Sequence, residues 1–163
     1  MFRFDDIITL ADVGVMKATS HTLSVQGAYT LTRFKAEVTR LTKEHQMRYG
    51  ELLREVGIED AAAFDAHHAE LNAKKRTKDE QKEWEDDNDK IARLAGMAKA
   101  LNNDEVTINC RPMSFEDWFN LKQENKELFV HMYNDKGEEI DKRELFDFIE
   151  ILGENILWKA PEE

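Results

Sequence analysis

From Ala28 to Val56 the apolar residues fall on one stripe: Leu31, Phe34, Val38, Leu41 and Leu52, with the skipped steps taken by His45 and Arg48. That spacing predicts a long helix packed along a single seam. Gly57 is placed to end it. Gly50 lies inside, costs about 1 kcal/mol against alanine, and marks where a break or bend would fall. Phe4 to Lys17 reads as a shorter amphipathic helix with Phe4, Ile7, Ile8, Leu10 and Ala11 facing inward, and Thr19 to Gly27 as a loop.

A further helix is expected from Asp60 to Lys75, its apolar face made of Ala63, Phe64, His67 and Leu71. A joint follows at Lys74-Lys75-Arg76-Thr77. Thr77 and Glu80 have the spacing of a capping box. The helix they open carries Trp84, Ile91, Leu94, Ala98 and Leu101 on one side and stops near Asn102-Asn103. A continuous helix and a hairpin both fit this joint.

The period changes at Glu105 to Cys110, where Val106, Ile108 and Cys110 alternate with Thr107 and Asn109 as in a strand. Pro112 ends it. Ser114 caps another helix, with Asp117 in the capping-box position and Met113 and Trp118 spaced as a hydrophobic staple. Leu128 to Ile140 stays open between a strand entering a turn at Asn134-Asp135-Lys136-Gly137 and a helix ended by the same glycine. Asp141 with Glu144 forms another box and Ile140 with Leu145 another staple, predicting a last helix from Lys142 to Leu152 closed by Gly153. The fold class is therefore mainly α: a long-helix hairpin or bundle with a minor β element near residues 105–110. Residues 1–127 are expected to form a helical core domain. Residues 128–163 are expected to be an extension whose apolar helix packs on the core or on a partner.

Composition adds limits. The chain has 163 residues, 41% hydrophobic and 35% charged, enough for one domain with a proper core. No apolar run approaches the roughly 18 residues of a membrane helix. Met1-Phe2-Arg3-Phe4-Asp5-Asp6 lacks the basic start and apolar stretch of a secretory signal. One cysteine, Cys110, rules out an internal disulfide and suits a reducing compartment. The expected location is a cytoplasm. The net charge of −11 argues against direct nucleic-acid binding, which needs lysine and arginine against phosphate. It serves solubility, or else an acidic surface that imitates nucleic acid and occupies a basic protein.

The sequence offers little catalytic chemistry. His67 and His68 are neighbours, about 100° apart on a helix, and cannot chelate one metal as residues four apart can. His67 is expected at the core edge and His68 at the surface. His45 interrupts the long seam, as a register-fixing polar residue or a pH-sensitive one. Cys110 ends the expected strand on its apolar face, without the histidine base or helix N-terminus a catalytic thiol wants, and reads as a structural thiol. Tyr133 to Ile149 partly matches a calcium loop, but the first ligand position falls on Tyr133 and the invariant-glycine position on Glu138, so that reading fails. Asp86-Asp87-Asn88-Asp89 reads as a solvated helix face, and Lys74, Lys75, Arg76 and Lys78 as a solvated joint. Phosphate loops and nucleophile elbows are absent from the sequence.

Three stretches carry a resemblance. Ala28-Tyr29-Thr30-Leu31-Thr32-Arg33 opens a long helix, Tyr49-Gly50-Glu51-Leu52 lies near its end, and a late helix is followed by Glu105-Val106-Thr107-Ile108. This order, over Asp6 to Leu121, resembles a family of small bacteriophage and prophage proteins of uncharacterised function. Residues 128–163 depart from the pattern. The resemblance implies a phage setting, an accessory role, and a place in the host cell or with the virion; it brings no activity and no functional residue.

The expectation is thus a non-enzymatic protein–protein interaction module, structural or assisting assembly, that self-associates. The alternative is an acidic inhibitor of a host nucleic-acid-binding defence protein. No cofactor, metal, membrane or small-molecule substrate is expected. The candidate interaction surface comprises Glu83, Glu85, Asp86, Asp87 and Asp89, with the apolar Phe146, Ile149, Ile156, Leu157 and Trp158.

Overall fold

The computed structural model describes the backbone of residues 1–159 and the side chains of residues 1–153. In chain order the elements are β1 (Phe2–Arg3), α1 (Phe4–Val13), a short 3₁₀ turn (Val15–Lys17), α2 (Val25–Glu55), α3 (Ala61–Asn72), α4 (Lys78–Asn103), β2 (Glu105–Val106), β3 (Met113–Ser114), α5 (Phe115–Glu124), β4 (Phe129–Tyr133), β5 (Glu139–Glu144), α6 (Leu145–Leu157) and β6 (Trp158–Lys159). The protein is mainly α, with a 31-residue helix and minor β pairing. Two compact units emerge: Met1–Lys43 with Glu105–Glu163, and Glu44–Asp104. Residues 128–163 thus fall in the same unit as residues 1–43, and the division runs at 43/44 and 104/105 rather than at 127/128.

The first unit is built around large buried side chains, among them Trp118, Phe2, Phe4, Phe34 and Phe146. Phe2 and Phe34 meet with ring centroids 6.3 Å apart, and Trp118 meets Phe146 edge-on at 5.5 Å. The seam of α2 delivers Leu31, Phe34, Val38 and Leu41 to this core. The helix expected over Phe4 to Lys17 is interrupted at Gly14, whose φ of 88° ends α1 in the left-handed region. At its start the Arg3 N–H donates to Asp6 Oδ2 at 2.8 Å, one half of a capping box.

The alternation expected from Glu105 to Cys110 is present in burial, with Val106 and Ile108 inside and Thr107 and Asn109 outside. Only Glu105 and Val106 pair as a strand, antiparallel to β1. Beyond them arginine side chains take the place of a neighbouring strand. Arg40 donates to the Thr107 carbonyl at 3.5 Å and Arg33 to the Asn109 carbonyl at 3.2 Å. Both arginines also bind the buried Glu37, at 2.6 and 3.3 Å, so three side chains of α2 pin this segment.

Residues 129–144 form an antiparallel hairpin, which decides the open segment in favour of a strand. Asn134 builds the turn: its Oδ1 accepts from the N–H groups of Lys136 and Glu138 at 3.0 Å, and Gly137 takes φ 76°. The expected helix start at Lys142 is corrected to Leu145. Asp141 and Glu144 are committed to the β4 ladder, and the Leu145 N–H donates to the Leu128 carbonyl at 2.8 Å. Ile140 sits where the register shifts and is exposed, so the Ile140–Leu145 staple does not form.

Ser114 does cap α5, accepting from the Asp117 N–H at 3.2 Å. Asp117 does not reach back to close the box. It is buried, and its carboxylate accepts from the Ser24 N–H at 2.8 Å and from the Ser24 hydroxyl at the start of α2. Gly27 permits this approach: a Cβ there would lie 2.4 Å from Asp117 Oδ2.

The second unit holds the end of α2 with α3 and α4. Helix α2 runs unbroken through Gly50 and stops at Gly57, φ 85°. Helices α3 and α4 fold back as a hairpin, with Thr77 and Glu80 forming the expected box. Its buried apolar side chains are Val56, Ile58, Leu71 and Leu101.

Candidate interaction surface

The α3–α4 hairpin is fixed by polar contacts as much as by apolar ones. Asp60 caps α3, accepting from the Ala63 N–H at 3.0 Å. Trp84 Nε1 donates to Asn72 Oδ1 at 2.6 Å. The Arg76 guanidinium lies 4.2 Å over the Trp84 ring and donates to the Leu71 carbonyl and to Gln81 Oε1, both at 2.8 Å. The basic joint is therefore partly consumed by the fold. Lys74 binds Glu80, which holds the Glu80 carboxyl down to about 2, helped by the Thr77 N–H and hydroxyl.

The roles expected of the two histidines are reversed. His68 points inward and stacks on Phe64, while His67 is half-exposed and its Nε2 lies 2.8 Å from Glu83 Oε1. The inward face of α3 runs Phe64, His68, Leu71, a four-then-three step, where three-then-four was expected; both are valid helix spacings. His68 Nδ1 is 4.0 Å from Asp87 Oδ2, too far for a hydrogen bond, and this buried nitrogen has no partner. At the other end of α4, His45 Nε2 lies 2.7 Å from Asn102 Oδ1, and Arg48 bridges Glu44 at 2.8 Å and Asp104 at 3.6 Å.

This geometry sorts the candidate residues. Asp87 is buried beside His68, which corrects the reading of Asp86 to Asp89 as wholly solvated. Glu83 is engaged by His67. Glu85, Asp86 and Asp89 remain exposed and form no ion pair within the described chain. Phe146 and Ile149 are fully buried in the first unit and belong to its core, not to a surface, with Phe146 packed edge-on against Trp118. The side chains of Ile156, Leu157 and Trp158 lie outside the described residues.

The hydrophobic pattern misses a different face. On α4 the residues Lys82, Glu85, Asp89, Ala92, Gly96 and Lys99 are all exposed, spaced three, four, three, four and three. That is the spacing of a helix seam, carried by charged and small residues. It could have been found by asking for period in charge instead of hydropathy. All carboxylates of α4 lie between Asp79 and Asp89; from Lys90 to Asn103 the helix carries Lys90, Arg93 and Lys99 and no acid.

Cys110, half-buried in the first unit, has its thiol pushed up to about 11 by burial and by the charge of Glu37, with Arg33 opposing. It is protonated at neutral pH and is a poor nucleophile. Near it, Val25, Gln26, Tyr29, Thr30, Arg111 and Pro112 line an open cleft of about 290 Å³ that contains no acid–base pair. No helix of the described residues is long and apolar enough to cross a membrane. Compared with known proteins, the chain matches no family model, no curated protein and no solved structure.

Proposed function

We propose that this chain is a non-enzymatic protein–protein interaction module, a structural or assembly accessory of the phage type. The observation that carries the reading is the second unit. It spans residues 44–104 yet buries only four apolar side chains. A helical unit this thin gains little from its own core, and burial against another chain supplies what it lacks. The charged seam on α4 gives that contact its specificity.

Cross-linking mass spectrometry on the full-length chain, recovered from the cells that make it, tests this. Intermolecular cross-links are expected to concentrate on Lys78, Lys82 and Lys99 of α4, with few on Lys17 or Lys126 of the first unit. A chain that forms no intermolecular cross-links through α4 removes the reading. Mass spectrometry of phage particles tests the setting, where stoichiometric presence makes the chain a structural component. A second reading, an acidic inhibitor, rests on the exposed Glu85, Asp86 and Asp89; it calls for a basic partner captured at low salt and released at high salt.

A further inference from the structure

We infer that the partner of the α4 seam is a second copy of this chain, paired antiparallel across Ala92. The inference rests on the interaction-module reading and names its occupant. Helix α4 is acidic up to Asp89 and basic from Lys90. The helix dipole accounts for acids in the first turn, Asp79 and Glu80, and for bases in the last turn. It does not account for Glu85, Asp86 and Asp89, which lie beyond the first turn. Nor does it account for Arg93 and Lys99, since the last turn carries no basic residue.

The chain itself does not neutralise these groups. Glu80, Glu83 and Asp87 face Lys74, His67 and His68. Among the described residues, Glu85, Asp86, Asp89, Arg93 and Lys99 take part in no ion pair. An Asp89–Arg93 pair along the helix is open to them at a spacing of four, but such pairs contribute only about 0.3–0.5 kcal/mol.

An isologous antiparallel pair answers both halves at once. Glu85 lies seven residues before Ala92 and Lys99 seven residues after it, about 10 Å either way along the same stripe. With Ala92 on the two-fold axis, Glu85 of each copy faces Lys99 of the other, and Asp89 lies against the turn holding Arg93 and Gly96. Every contact occurs twice, as two-fold symmetry requires. The centre of the seam admits close backbone approach: Gly96 is exposed, and a Cβ there would meet nothing within 4 Å, so this chain's own packing does not ask for glycine. A parallel pair would set acid against acid and base against base.

The test is sedimentation of the full-length chain at increasing micromolar concentration, in low and high salt. A dimer that weakens with salt is expected. Lys99→Glu and Glu85→Lys are each expected to weaken it roughly tenfold or more by facing like charges, and the double variant E85K/K99E to restore it. Register is read separately in a Cys110→Ser background. Ala92→Cys is expected to form a disulfide between copies under mild oxidation. Lys78→Cys is expected not to, since the two Lys78 positions would lie roughly 42 Å apart. A chain that stays monomeric at low salt, or a dimer indifferent to both single charge reversals, overturns the inference. Cross-links from α4 to a different polypeptide, with the chain itself monomeric, overturn it while leaving the interaction-module reading standing.

Discussion

The two units solve the same problem with different means. Residues 1–43 and 105–153 gather Phe2, Phe4, Phe34, Trp118 and Phe146 around one core, and even the polar groups within it are satisfied: Asn125 bonds both backbone groups of Thr19 and the Leu121 carbonyl. Residues 44–104 form two turn-capped helices and the end of a third, bury four apolar side chains, and leave His68 Nδ1 without a partner. The first unit joins a large core to exposed apolar side chains such as Val25, Tyr29, Phe115 and Ile140. A unit held by caps, an aromatic–arginine stack and short ion pairs keeps its faces available. On the reading proposed above, the first unit supplies stability and the second recognition.

The sharpest way to break the comparison is to remove one large apolar residue from each, buried in the first unit and exposed in the second. Trp118→Ala should destabilise the first unit by about 3–5 kcal/mol, the range for deleting a buried aromatic, whereas Ile91→Ala on α4 should change stability by about 0.5 kcal/mol or less. Urea unfolding followed by circular dichroism reads both. Glycines give the next largest contrast. Gly27→Ala forces a Cβ to 2.4 Å from the buried Asp117 carboxylate, and should cost about 1–3 kcal/mol through overpacking. Gly50→Ala meets nothing within 4 Å in a helical backbone and should stabilise by about 0.5–1 kcal/mol. Thermal melts of the two variants should shift in opposite directions.

Smaller effects probe the hairpin of the second unit. His68→Leu removes a buried nitrogen that has no partner, so it should be neutral or stabilise by up to about 1 kcal/mol; a clear loss would mean the imidazole is bound after all. Glu80 gives the smallest effect and a sign. Its carboxyl is held down to about 2 by Lys74 first and Thr77 second. A lowered value in the folded state means its contribution is present above the ordinary carboxyl value and is lost as pH falls toward 2. Glu80→Gln should remove that contribution at neutral pH, lowering stability slightly there, and with it the acid-side loss, so that variant and parent converge as pH falls toward 2 in urea unfolding followed across pH.

Much of this architecture is legible in the sequence, because its signals are local. Thr77 with Glu80, Ser114 before α5 and Gly57 after α2 act where they stand, each satisfying helix-end groups within a few residues. What escapes is decided at long range. Asp141 and Glu144 have a capping spacing but are claimed by β4, and the alternating 105–110 segment finds arginines instead of a strand. The choice of His68 over His67 for the inward face depends on where α4 lies, which periodicity within α3 does not encode. The α4 seam escapes for another reason. Its residues are charged or small, so a search for apolar stripes passes over it, and four of the seven candidate surface residues whose side chains are described are engaged or buried.

Hydrogen–deuterium exchange on the full-length chain, dilute and concentrated, tests the division of labour most directly. The account predicts that α1, α5 and the first half of α2 stay protected at both concentrations, while α3 and α4 exchange faster when dilute and gain protection when concentrated. Equal protection in both units, unchanged by concentration, would contradict it.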